Sequence, residues 1–250
     1  MSKYNKTMVK NLSYRSENFD NRKSKIEMIV IHYTGMHSRD LALKKLCNRS
    51  SKVSSHYLID EQGEIYYLVD ESKRAWHAGF SSWFNESDIN SLSIGIELVN
   101  PGHEINYLPF TELQMNSLEK LVLELKSRYS ILKKNIVGHS DVAPLRKSDP
   151  GELFDWDRLA KKGLAFSPDI EQKIKPLTAK YNDKGENVFI IQEALYLCGY
   201  KIIIDGLYGI STQKIVKAFQ RRFRRILVNG NVDSQTSKIL FSAVNSYKLY

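Results

Sequence analysis

The amino-acid sequence predicts an α/β fold: a central mixed β-sheet flanked by helices, followed by a small C-terminal domain of three helices. Three observations carry this. Two apolar, β-branched runs, 26–33 and 92–99, have the character of strands buried on both faces. The stretch 111–128 repeats apolar residues at helical spacing through Leu113, Leu118, Leu121, Val122 and Leu125. Beyond Pro168 the chain becomes a series of helical patterns separated by glycine-containing turns.

Taken in order, residues 1–25 are polar and are expected to form a leader lying on the surface. The run 26–33 is the first central strand, and 40–48 is helical. Short strands at 54–59 and 64–69 flank Asp60-Glu61-Gln62-Gly63, a hairpin turn signal. The run 92–99 is a second buried strand, ended by Asn100-Pro101-Gly102. The helix 111–128 opens on Thr111-Glu112-Leu113-Gln114, a capping box. A short strand at 135–138 leads into a loop at His139, and 155–162 is a short helix. Pro168 and Pro176 frame a charged linker, 168–179. Helices follow at 187–197, 211–223 and 234–246; the last two come after the turns 205–209 and 229–233, with Ser or Thr expected as caps. The division is therefore 1–25 leader, 26–167 first domain, 168–179 linker and 180–250 helical domain. The likeness of Asp205-Gly206 to Asn229-Gly230 is too short to count as a repeat.

With 250 residues, 42% of them hydrophobic and 26% charged, the chain can bury a core without covalent staples and is not extended disorder. Cys47 and Cys198 are far apart and form neither a disulfide framework nor a Cys-x-x-Cys pair, so both read as small buried hydrophobes. The net charge of +9 suits an anionic partner: nucleic acid, acidic lipid or an anionic wall polymer. Residues 168–250 hold 13 Lys and Arg against 7 Asp and Glu, with the densest cluster at Arg221-Arg222-Phe223-Arg224-Arg225. Such a run is expected to be a solvated helix face. No nucleic-acid signature surrounds it, so no nucleic-acid partner is expected. No run approaches the ~20 apolar residues of a membrane span. The basic N-terminus lacks a following apolar region and does not read as a secretory signal.

The chemistry concentrates in three segments. Gly138-His139-Ser140-Asp141-Val142-Ala143-Pro144-Leu145-Arg146-Lys147-Ser148-Asp149-Pro150-Gly151 places an imidazole, an ammonium and a carboxylate in one loop. Ile29-Val30-Ile31-His32-Tyr33-Thr34 and Ser93-Ile94-Gly95-Ile96-Glu97-Leu98 are apolar runs with one reactive side chain embedded in each. Read singly, His32 suits a core histidine as well as a ligand, and Asp149, before Pro150-Gly151, suits a turn residue or cap. Glu97 is harder to explain without chemistry. A carboxylate in such a run is costly to bury unpaired, so it needs either a cation or a metal-held water beside it. Two His, one Asp and a separate Glu match a catalytic zinc centre, in which three protein ligands leave a fourth position for solvent.

These segments, with Val53-Ser54-Ser55-His56-Tyr57-Leu58-Ile59 and Trp76-His77-Ala78-Gly79, resemble the zinc-dependent N-acetylmuramoyl-L-alanine amidases of the AmpD/AmiD type, the amidase 2 group related to peptidoglycan recognition proteins. The matching pieces run in the family's order over about residues 26–160. Separately, Gln192-Glu193-Ala194-Leu195, Gly199-Tyr200, Asp205-Gly206-Leu207-Tyr208-Gly209, Thr212 and Phe219-Gln220 resemble the three-helix peptidoglycan-binding module. The resemblance implies one Zn²⁺ held by His32, His139 and Asp149, with Glu97 as the base that activates water and Lys147 stabilising the oxyanion. It implies substrate contacts at Tyr33, Trp76, His77 and Ala78. One branch of the family carries a tyrosine where this chain has Ser55, which leaves the base role to Glu97. His56 is expected to be structural and His37 and His103 exposed; Trp83 and Phe84 either cover a cleft or pack a loop. The implied reaction is hydrolysis of the amide between N-acetylmuramic acid, intact or 1,6-anhydro, and L-alanine, in cell-wall turnover or remodelling. The alternatives are a non-catalytic peptidoglycan receptor on the same fold and a peptidase acting within the stem. The implied partners are glycan strands and stem peptides, with the helical module as a tether. The implied location is the cell envelope, periplasmic or wall-associated, with the cytoplasm as the alternative given the missing signal.

Overall fold

The computed structural model describes residues 9–11, 13–170, 173 and 175–247, with side chains from residue 13 onward. The chain packs as two compact units, one of residues up to 79 together with 88–137, the other of 80–87 together with 138 onward.

The first unit is built on a six-stranded sheet in the order β1-β5-β4-β7-β3-β8. Its strands are β1 (Val9–Asn11), β3 (Met28–Tyr33), β4 (Tyr57–Ile59), β5 (Ile65–Tyr67), β7 (Ser93–Leu98) and β8 (Ile136–Gly138). The sheet is mixed, as expected: β7 runs parallel to both β3 and β4, whereas β4 and β5 form an antiparallel hairpin. The two apolar runs are neighbours at its centre. Ile29, Val30, Ile31, Ile94 and Ile96 are wholly buried, which is why these strands lack hydrophobic alternation. Gly63 closes the hairpin at φ +78, and a Cβ there would lie 2.6 Å from the Leu113 carbonyl. Helix α1 (Arg39–Cys47) buries Ala42, Leu43 and Leu46 against Leu58, Tyr66, Leu68 and Val99.

Helix α3 (Glu112–Tyr129) corrects the predicted pattern in two places. Leu113 faces solvent, 58% exposed, whereas Met115 is buried in its stead. Thr111 caps the helix by accepting from the Gln114 N–H at 3.1 Å. The Gln114 side chain does not reach back to complete the box. It donates to the carbonyls of Ile59 and Val99, at 3.0 and 3.1 Å, tying the helix to the ends of β4 and β7.

The polar segment before Ile26 is mostly exposed where it is described, yet parts of it are built into the sheets; residues 1–8 and 12 lie outside the described residues. Strand β1 pairs parallel with β5. Strand β2 (Phe19–Asn21) pairs antiparallel with β6 (Lys73–Ala75) as a separate two-stranded sheet. Asn18 is buried and donates to the carbonyls of Asn48 and Val53. Arg22 donates to the carbonyls of Glu71, Asn90, Ser91 and Ser93 at 2.7–3.1 Å. These polar side chains satisfy interior carbonyls, a use that hydropathy does not register.

The second unit contains α4 (His139–Val142), α5 (Trp156–Lys161), α6 (Glu186–Leu197), α7 (Ile210–Phe223) and α8 (Ser234–Tyr247), while α2 (Ile89–Leu92) belongs to the first. Two buried glutamines organise the last three helices by the same device. Gln192 of α6 accepts from the N–H groups of Asp205 and Gly206 and donates to the Leu207 carbonyl and Thr212. Gln220 of α7 accepts from the Gly230 N–H and donates to the Asn231 carbonyl and Thr236. The likeness of Asp205-Gly206 to Asn229-Gly230 is thus a structural repeat: helix glutamine, Gly turn, threonine of the next helix. Ser211 does not cap α7, whose N-cap is Gly209. At α8, Asp233 accepts from the Thr236 N–H at 2.9 Å.

Gln192→Ala should leave the buried Gly206 N–H without a partner and destabilise this unit by about 2–3 kcal/mol. Urea unfolding followed by tryptophan fluorescence should show a lower midpoint; an unchanged one would contradict the organising role.

Candidate metal and catalytic site

The site begins with strand register. His32 and Glu97 are direct partners across the parallel β3–β7 pair, so both side chains project from one face of the sheet. Gly95 is two residues before Glu97 and shares that face. The His77 ring lies flat against it: a Cβ on Gly95 would sit 2.4 Å from the His77 Cγ. From there His77 Nδ1 meets His32 Nε2 at 3.1 Å, and its Nε2 lies 3.3 Å from Ser93 Oγ. The Ser93 hydroxyl donates to the Ile89 carbonyl. The loop carrying His77 is pinned by Asn90, whose Oδ1 accepts from the N–H groups of His77 and Ala78.

His56 supports the arrangement from within. It is fully buried, its Nδ1 accepts from the Gly95 N–H at 2.9 Å, and its Nε2 lies 3.1 Å from the Lys73 carbonyl. Burial first, then the Arg22 guanidinium 2.7 Å from Nε2, pushes its pKa down to about 3. Arg22 is itself lowered to about 10 by burial. The structural role expected for His56 is what the structure shows.

In the second unit, β8 hands over to the short helix α4, and His139 is its first residue. His139 Nδ1 lies 3.0 Å from Asp149 Oδ2, both side chains being buried. The Ser140 N–H donates to the Asp149 carbonyl at 2.8 Å, which fixes the two ends of the loop to one another. Arg146, which the sequence did not single out, lies with Nη2 3.4 Å from His139 Nε2 and donates from Nε to the Phe80 carbonyl. Burial holds its pKa below the ordinary guanidinium value, and Asp149 opposes that shift. Lys147 is exposed, with its N–H donating to the Ala143 carbonyl.

One donor atom from each of His32, His139 and Asp149 lies within 4.8 Å of the other two, and all three residues are buried. Two imidazoles and a carboxylate are a zinc-type donor set. Ligands about 2.0–2.1 Å from a tetrahedral ion stand roughly 3.3 Å apart, close to the spacing of His139 and Asp149. The group could hold a metal ion.

Of the residues expected to touch substrate, the structure buries two. Ala78 is 0% and His77 8% exposed, and their amide hydrogens are committed to Asn90. His77 faces His32 rather than solvent. Trp76 is half-buried. Tyr33 is also half-buried, with its hydroxyl 2.9 Å from Nδ1 of the exposed His103, which stacks on Tyr107 at 4.2 Å between centroids. His37 is exposed, as expected. Trp83 is 2% exposed and packs edge-on against Phe84 and Tyr200, so it fills the interior of its unit.

Gly95→Ala should displace the His77 ring and with it the His32 orientation, weakening zinc binding by roughly 10-fold or more with the fold retained; chelator competition measures it. His56 makes a second prediction. Its pKa is lowered in the folded state, so its stabilising contribution is complete above about 6.5 and is lost as pH falls toward about 3. Across that window unfolding free energy should fall with a slope approaching about 1.4 kcal/mol per pH unit from this group. The slope should be shallower in His56→Asn.

A family model described as N-acetylmuramoyl-L-alanine amidase matches residues 22–152, and a model for peptidoglycan binding domains matches 184–240. The chain is 34% identical over 235 residues to N-acetylmuramoyl-L-alanine amidase AmiD of Escherichia coli, an alignment that spans 89% of this chain and 84% of that relative. It is 37% identical over 164 residues to 1,6-anhydro-N-acetylmuramyl-L-alanine amidase AmpD of Haemophilus influenzae, covering 58% of this chain and 87% of the other. Among solved structures, E. coli AmiD in complex with anhydro-N-acetylmuramic acid-L-Ala-D-γ-Glu-L-Lys superposes with a TM-score of 0.78 at 31% identity, covering 95% of this chain and 93% of that one. AmpDh3 of Pseudomonas aeruginosa gives 0.76 at 27% identity, over 99% and 100%. The mixed sheet, the motif order and nearly full-length similarity agree, and the chain belongs to the N-acetylmuramoyl-L-alanine amidase family.

Proposed function

We propose that the chain hydrolyses the amide joining the lactyl group of N-acetylmuramic acid, intact or 1,6-anhydro, to the L-alanine of the stem peptide. The observation that carries this is the convergence of His32, His139 and Asp149, with Glu97 in register beside His32. In this reading the three residues hold one zinc ion, which when bound supplies Lewis acidity for the attack of water on the amide carbonyl. His32 offers Nδ1, since Nε2 faces His77. Glu97 takes the proton of the attacking water and delivers it to the departing amine of L-alanine. The Lys147 ammonium, on a loop residue two before Asp149, stabilises the negative charge that grows on the amide oxygen. Tyr33 and Trp76, partly exposed, contact the substrate, whereas His77 orients His32.

The segments 26–167 and 180–250, joined by 168–179, act on and bind one polymer, and residues 1–25 precede them. The partners are glycan strands and stem peptides. The place of action is the cell envelope, an assignment supported by the peptidoglycan-binding match. Among the described residues no helix is long and apolar enough to cross a membrane.

Glu97→Gln should keep zinc and lower kcat by a factor of 10²–10⁴, the usual contribution of a general base. Asp149→Ala should lose zinc. Metal analysis with mass spectrometry of products from purified sacculi, with and without chelator, reads both. Near-normal turnover in Glu97→Gln would refute the base assignment, and stoichiometric zinc in Asp149→Ala would refute the ligand set. Products cleaved within the stem would refute the amide specificity.

A further inference from the structure

Asp141 lies two residues after His139, on the same turn of α4. Its carboxylate is 1% exposed. Oδ2 accepts from the N–H of Gly138, the residue immediately before His139, at 2.8 Å. The same oxygen accepts from Nη1 of Arg222 at 2.8 Å, and Oδ1 accepts from the Tyr200 hydroxyl at 2.8 Å. Arg222 belongs to α7 and Tyr200 follows α6, so both come from the helical module. Neither is a surface residue. Arg222 is 2% exposed, with its guanidinium 4.7 Å from the centre of the Trp156 ring and 5.1 Å from that of Phe223. Tyr200 is 1% exposed and meets Trp83 edge-on.

A buried ion pair of this kind is a weak source of stability, because the desolvation of both charges offsets their attraction. Apolar side chains of similar volume would hold the module about as well. What the charges add is direction. Both carboxylate oxygens are committed, so Asp141 has one orientation, and through the Gly138 N–H it fixes the backbone from which His139 projects. The Ser140 N–H then carries the constraint to the Asp149 carbonyl. Gly138 also leaves room for the far end of the loop, since a Cβ there would lie 2.6 Å from Pro150 Cδ.

We infer that Arg222 and Tyr200 are positioning residues for the metal ligands His139 and Asp149, acting through Asp141, so that the helical module is a working part of the metal centre as well as a polymer-binding element. The inference rests on the proposed ligand set. A purely electrostatic role would have the opposite sign. Removing the Arg222 charge near a dication site should tighten zinc binding, whereas loosening the loop should weaken it.

The test uses the full chain and zinc affinity measured by chelator competition, with circular dichroism as the control on folding. Arg222→Met keeps the length and apolar bulk of the side chain and should weaken zinc binding about 10- to 100-fold, the range for lost outer partners of metal ligands. Arg222→Lys should recover part of that loss. Tyr200→Phe, which keeps the ring and the ion pair, should weaken binding less and remains informative should Arg222→Met not fold. Arg225→Met removes a different ion pair of the module, that with Asp155 and Asp157, and should leave zinc affinity unchanged. Unchanged or tighter binding in a folded Arg222→Met, wild-type affinity in Tyr200→Phe, or equal weakening in Arg222→Met and Arg225→Met would each overturn the inference. Asp149→Ala separates the two levels. If it loses zinc while Arg222→Met binds like wild type, only the positioning role falls. If the wild-type chain takes up no zinc, or Asp149→Ala binds as tightly, the ligand set itself falls.

Discussion

The structure depends on holding two imidazoles and a carboxylate within 4.8 Å of one another in a buried setting. Such a group has a net negative charge when both imidazoles are neutral, and an isolated buried carboxylate is expensive. A dication would relieve that cost, and the protein also offsets part of it. Arg146 is drawn down beside His139 although burial disfavours its own charge, and Asp149 acts against that penalty. The supporting His56 is kept uncharged by its surroundings. His56, against Arg22 and with its Nδ1 accepting a backbone N–H, has almost no tendency to protonate at neutral pH.

The sheet supplies the rest of the geometry at little cost. Parallel register puts His32 and Glu97 side by side without a dedicated turn or bulge. Gly95 removes the side chain that would otherwise fill the space two residues earlier, and His77 occupies it. The opposite face of the pair is apolar and buried at Ile29, Ile31, Ile94 and Ile96, so a histidine, a glycine and an acid can share one face of strands that are otherwise largely apolar.

How much of this was legible in the sequence follows from the range of each interaction. Apolar runs and their embedded reactive residues are local signals, and the strands, the long helix and the candidate ligands could be read from them. Signals that depend on a distant partner could not. Gln114 looks like half of a capping box until Ile59 and Val99 arrive with open carbonyls. Gln192 and Gln220 look like ordinary helix residues until each is seen closing the turn that follows it. The segment before Ile26 looks solvent-exposed by hydropathy and mostly is, yet Asn18 and Arg22 are spent on carbonyls 30 or more residues away. His77 was legible as important within Trp76-His77-Ala78-Gly79 but not as a partner of His32, because only the fold brings the two rings together.

The basic cluster 221–225 is the clearest case of composition misdirecting a reading. Counted as charges, it suggests a solvated face or an attraction for anionic polymer. In the folded chain each guanidinium has an acidic neighbour: Arg221 lies 3.7 Å from Glu152, Arg222 is buried on Asp141, Arg224 pairs with Asp233, and Arg225 with Asp155 and Asp157. Four of these five carboxylates' owners precede the helical module, and three of them lie within residues 152–157. The cluster therefore acts inward: Arg222 reaches Asp141 in α4, Arg221 and Arg225 reach the segment 152–157, and Arg224 reaches the module's own Asp233. Any attraction for an anionic polymer must come from the chain's other cations, because charge already neutralised at 2.5–3.7 Å has little field left to offer a partner.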